Sequence, residues 1–89
     1  MAGRSRADIE RLVSEVVCQR LQLESVPAAE DLRTMRAFSS FAAVDILERL
    51  EIALEVEVPA AELSAERLCS IRALTELFLH AHSEEAIAS

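Results

Sequence analysis

The chain has no lysine, no tryptophan and no tyrosine, and only one glycine, two prolines and two cysteines among 89 residues. Each shortage removes a class of structure. With a single glycine, and only the brief Val56, Glu57, Val58 alternation to suggest extended chain, the sequence predicts no sheet. Cys18 and Cys69 are too few for a disulfide framework, and neither falls in a CxxC or a Cys/His cluster, so they read as two unrelated thiols. No apolar run approaches the roughly 18 residues a membrane span needs. Met1 to Ala7 lacks the apolar core of a signal peptide, which points to a soluble, cytoplasmic protein. There is no glycine-rich phosphate loop, no HExxH and no GxSxG, and His80 and His82 have no third metal ligand nearby in sequence.

What is present is largely aliphatic. Apolar residues fill 52% of the positions, enough for one small core and, at this length, for only one domain over residues 1–89. Charge is unevenly spread. Six arginines balance six acids from Met1 to Arg36, whereas ten acids face three arginines from Ala37 to Ser89, so the net charge of −7 belongs to the later part. Such a surface repels nucleic acid and anionic membranes and favours basic partner surfaces.

In chain order, Ser5 with Asp8 three residues on makes a capping box. Ile9, Leu12, Val13, Val16 and Val17 then recur at helical spacing, predicting a first helix from Arg6 to Leu21. Cys18 falls on its polar side and Arg20 on its apolar side, with the stem over the core and the head reaching water. Gln22 to Phe38 loses the periodicity and reads as a long ordered loop, tacked down by Val26, Leu32 and Met35.

Ser39 is the natural N-cap of a second helix, with Ser40 its first residue. Ala43, Ile46, Leu47, Leu50 and Leu54 share an arc of about 100°, the width of a core face. The opposite arc interleaves Phe41, Val44 and Ile52 with Asp45, Glu48, Glu51 and Glu55. Apolar groups ringed by carboxylates mark a contact surface, although single exposed apolar residues are also common. After Pro59 the sequence predicts a short helical turn begun at Ser64, with Leu63 and Leu68 inward. Ser70 then caps a last helix with Ile71, Leu74, Phe78 and Ala81 as its stripe. His80 and His82 fall in or just past its final turn, where an imidazolium suits the helix dipole. The ordered region is expected over residues 6–82, with Ser83 to Ser89 a frayed tail. The expected fold is all-α, a small antiparallel four-helix bundle of three longer helices and one short one, with a long loop after the first.

From residue types alone, Ser39 and Ser40 are a capping pair. A wider pattern adds a second meaning. Ser40, Phe41, Val44, Asp45 and Ile46, followed by Leu50, Glu51 and Leu54, then Val58, Pro59, Leu63, Ile71, Arg72, Ala73 and Leu74, resemble the acyl carrier protein family. That family's signature is an Asp-Ser-Leu triplet, a Val-Glu-Leu triplet and a proline nineteen residues after the serine. Here Val44, Asp45 and Ile46 occupy the second triplet, and Pro59 stands nineteen residues after Ser40. The resemblance spans Ile9 to Ala81. It implies a four-helix carrier bundle whose serine, Ser40, is esterified with a 4′-phosphopantetheine arm that holds acyl groups as thioesters. The carrier is itself no enzyme. A separate phosphopantetheinyl transferase loads it from coenzyme A, usually with magnesium.

The resemblance also makes the second helix the recognition helix. Phe41, Val44 and Ile52 would then supply contact area, and Asp45, Glu48 and Glu55 would meet basic patches. The partners would be the transferase, an acyltransferase or other loading enzyme, synthases and tailoring enzymes, with the carrier itself a monomer. Three positions depart from the family: Ser39 replaces its aspartate, Ala37 its glycine and Phe41 its leucine. The atypical serine motif points to a specialised pathway, of polyketide or antibiotic type, rather than primary fatty acid synthesis. Two alternatives stand beside it. One is a peptidyl carrier of nonribosomal synthesis, disfavoured because its Gly-Gly-x-Ser motif is absent and this helix is strongly acidic. The other is an unmodified carrier-like docking module.

Overall fold

Ser5 starts the first helix as its residue type requires. Its hydroxyl accepts the Asp8 N–H at 3.2 Å, and the Asp8 carboxylate accepts the Ser5 N–H at 3.3 Å, so two helix-end donors are satisfied reciprocally. The computed structural model describes the backbone of residues 5–88 and the side chains of residues 5–81. Helix α1 runs Arg6–Leu21, α2 Ser40–Leu54 and α3 Ile71–Ala88. Ser39 caps α2 by accepting the Ala42 N–H at 3.1 Å, and Ser70 caps α3 by accepting that of Ala73 at 3.0 Å. Helix α3 continues to Ala88, through the segment where the sequence suggests a frayed tail.

Two helices end without glycine. Gln22 and Glu55 take left-handed φ values of 58° and 56°. The turns are closed by Leu23 N–H to Cys18 O at 2.9 Å and Val56 N–H to Glu51 O at 3.2 Å. A residue with a Cβ is disfavoured in this conformation by about 1–2 kcal/mol.

Helix α1 packs against both α2 and α3. The core gathers Ile9, Val13 and Val17 from α1, Ile46 and Leu50 from α2, and Ile71, Leu74 and Phe78 from α3. The long loop is ordered by its own apolar residues, Val26 and Leu32, both buried, with Met35 half-buried. Backbone bonds tie it to the start of α3: Leu32 N–H donates to Cys69 O at 2.7 Å, and Arg72 N–H to Ala28 O at 2.9 Å. The second bond satisfies one of the donors that a helix start leaves open.

The fourth helix does not form. Among the described residues there are three α-helices and two short 3-10 turns, Leu32–Thr34 and Ala60–Glu62. At the predicted site Ser64 makes a single turn, its carbonyl accepting from Arg67 at 3.1 Å and from Leu68 at 3.2 Å. Ser70 is already committed to capping α3, so the segment between the two serines holds too few residues to propagate a helix past its nucleus.

Candidate functional site

The first turn of α2 presents two adjacent serines with different roles. Ser39 lies outside the helix, in extended conformation, and its hydroxyl is engaged as the cap. Ser40 is exposed at the first helical position, and its hydroxyl makes no hydrogen bond among the described residues. The backbone ladder begins with Ala43 N–H to Ser39 O at 2.9 Å, so the Ser40 and Phe41 N–H groups stand outside it, at the positive end of the helix dipole.

Ala43 faces the middle of the core arc yet is only half-buried, whereas Ala42, outside that arc, is fully buried. The reason is local packing. The segment at Leu63 to Leu68 does not close over the first turn of α2, and it leaves a cleft of about 510 Å³. Ser39, Ser40, Ala43, Val44 and Leu47 line one wall, Leu63, Ser64, Ala65 and Leu68 another, and Phe38 and Arg33 complete it. Arg33 is held by Asp31, whose carboxylate accepts its Nε at 3.0 Å, its Nη2 at 2.9 Å and its backbone N–H at 2.9 Å. These bonds to Arg33 hold the Asp31 carboxyl below the usual carboxylate range and raise the guanidinium in turn.

Along the outer face, Phe41 is 76% exposed, Val44 49% and Ile52 79%. Glu48 and Glu55 are exposed beside them. The other two acids are engaged. Asp45 Oδ2 accepts Arg20 Nε at 2.7 Å and lies 3.2 Å from Arg49 Nε, and Glu51 Oε2 folds back to accept the Val58 N–H at 2.8 Å. Glu51 therefore fixes the exit from α2 instead of extending the acidic face.

Sequence reasoning missed both arginine partners of Asp45 and the cleft. Arg49 had a readable signal in its i, i+4 spacing from Asp45. Arg20 had a weaker one, a charged residue on an apolar arc; its head stops at Asp45, with Cζ 5.9 Å from the centre of the Phe41 ring. Cys18 is half-buried and packed against the edge of the core instead of standing on an open polar side. His80 lies mid-helix because α3 is long, its Nε2 3.7 Å from Glu62 Oε1, which also pairs with Arg67 at 2.9 Å. The His82 side chain lies outside the described residues.

Among the described residues no group of three His, Cys, Asp or Glu side chains is placed to hold a metal ion, and no helix is long and apolar enough to cross a membrane. No protein-family model matches the chain, and no curated protein matches its sequence.

Proposed function

We propose that this chain is an acyl carrier whose Ser40 bears a 4′-phosphopantetheine arm, serving a specialised acyl pathway of polyketide type. The observation that carries the reading is the exposed Ser40 hydroxyl at the first turn of α2, lining a largely apolar cleft. On this reading the turn at Ser64 to Leu68 stands where a carrier bundle has its short third helix.

The residues present fit the arm. When bound, the group supplies a terminal thiol on which acyl chains ride as thioesters. Ser40 supplies the oxygen of the phosphodiester link and is consumed as an attachment point rather than a catalyst. The open N–H groups and dipole of α2 favour the negative phosphate beside it. Leu47, Leu63 and Leu68 line a cleft of about 510 Å³, within the size range of small-molecule sites, where a short acyl chain escapes water. The exposed Phe41, Val44 and Ile52 offer area to the transferase, loading enzymes and synthases, while Glu48 and Glu55 project negative charge toward basic patches.

One observation favours a second reading, that of an unmodified docking module. Ser39 stands where a carrier has an aspartate, so the carboxylate that helps organise the transferase and its metal is missing, while the apolar outer face is intact. Intact mass separates the two after incubation with coenzyme A, magnesium and a broad-specificity phosphopantetheinyl transferase. The carrier gains one phosphopantetheine that Ser40→Ala abolishes. An unchanged mass with several transferases leaves the docking module.

A further inference from the structure

Arg20 begins on α1 and ends on the outer face of α2. Its Nε donates to Asp45 Oδ2 at 2.7 Å, and its guanidinium carbon stands 5.9 Å from the Phe41 ring centroid. The Arg20 and Asp45 side chains are only 27% and 30% exposed, so this pair is less screened than one fully in water. Arg49 approaches the same carboxylate oxygen at 3.2 Å.

Two consequences follow. Phe41 is 76% exposed, and a side chain so placed has little packing of its own to select one rotamer. A guanidinium fixed in place by Asp45 gives the ring a flat partner and a preferred orientation. Asp45, lying between two guanidiniums, is also largely neutralised, which leaves Glu48 and Glu55 as the outward negative charges of the helix. Phe41 and Ile52 are eleven positions apart, about 16 Å along the axis and about 20° around it, so they form two anchors on one line.

We propose that Arg20 is a positioning residue of the partner face, which holds the Phe41 ring outward beside Ser40 so that the enzyme acting on Ser40 meets a preset aromatic anchor. The inference rests on the carrier reading, since that enzyme is taken as the partner. An anchor ordered in advance loses less rotamer freedom on binding, so Arg20 acts on the affinity of the encounter and not on the chemical step.

Steady-state loading by a broad-specificity phosphopantetheinyl transferase, with coenzyme A and magnesium, tests it on the wild type, Arg20→Gln, Arg20→Lys, Phe41→Ala and the Arg20→Gln/Phe41→Ala pair. Arg20→Gln is expected to raise KM for the carrier about two- to fivefold at unchanged kcat, the size of an exposed cation–π contact. Arg20→Lys restores part of the loss, and Arg20→Gln adds nothing once Phe41 is alanine. Asp45→Asn releases Arg20 without altering α1, so it gives the same rise in KM should Arg20→Gln fail to fold. A wild-type KM in Arg20→Gln, a change confined to kcat, or an equal rise in the Phe41→Ala background overturns the inference while the carrier reading stands. A wild type that gains no phosphopantetheine overturns both.

Discussion

Ser39 has two duties that single substitutions can pull apart. It caps α2 through the Ala42 N–H, and on the carrier reading it stands where the family keeps an aspartate beside its modified serine. Ser39→Ala should cost about 1 kcal/mol in urea unfolding, the usual worth of an N-cap. Ser39→Asp keeps the cap, because aspartate serves as well there, and adds the missing carboxylate; the initial rate of phosphopantetheine transfer should rise above wild type. A rate that falls or stays level would show that Ser39 already suits its transferase. Asp31 has a pH signature. Its folded pKa lies below the ordinary value because of Arg33, so its stabilising contribution is complete above about pH 4 and is lost as pH falls through the depressed pKa. The fall in melting temperature as pH drops below about 4 should therefore be shallower for Asp31→Asn than for wild type. At this scale, polarity along a helix wheel was a fair guide to Phe41, Val44 and Ile52. It failed for Ala43, Cys18 and Arg20, whose surroundings depend on chain segments that the wheel does not contain.

Helix α2 joins the core, the cleft and the outer face, and its two sides should respond differently to mutation. Leu50 is fully buried, so Leu50→Ala should cost about 2–5 kcal/mol. Glu48 is exposed, so Glu48→Arg should leave the unfolding midpoint nearly unchanged while slowing reactions with basic partners. Unimpaired partner reactions in a folded Glu48→Arg protein would remove Glu48 from the recognition surface. The helix ends invite the opposite change. Glycine at position 22 or 55 relieves a left-handed Cβ but loosens the unfolded chain, so Gln22→Gly or Glu55→Gly should stabilise by about 0.5–1 kcal/mol in urea titrations. Helix starts were legible in the sequence because N-caps are local: Ser5 with Asp8, Ser39 and Ser70 each cap within three residues, whereas the end of α3 at Ala88 was not. The absent fourth helix was not legible. Its apolar pair, Leu63 and Leu68, suits a turn as well as a helix, and the choice depends on Ser70 having already begun α3.

Over the whole molecule the charge imbalance dominates. The net −7 is concentrated after Arg36, where Glu48, Glu55 and Glu57 are all exposed on or just past α2. Salt should raise the melting temperature as the Debye length falls from about 30 Å at 0.01 M to about 3 Å at 1 M. Melting temperatures flat across that range would mean that these acids do not strain the fold. The all-helical architecture and single core could be read from composition and periodicity, because both are sums over many residues. The cleft at Ser40 could not, since it is a failure of two segments to meet. On the carrier reading the modified atom is Ser40 Oγ. Trypsin should release residues 37–49 as one peptide, because Arg36 and Arg49 flank both serines and no arginine lies between them. After loading from coenzyme A, fragmentation of that peptide should place one phosphopantetheine on Ser40, with Ser39 unmodified. A group on Ser39, or an unmodified peptide after incubation with several transferases, would rule out Ser40 as the attachment point.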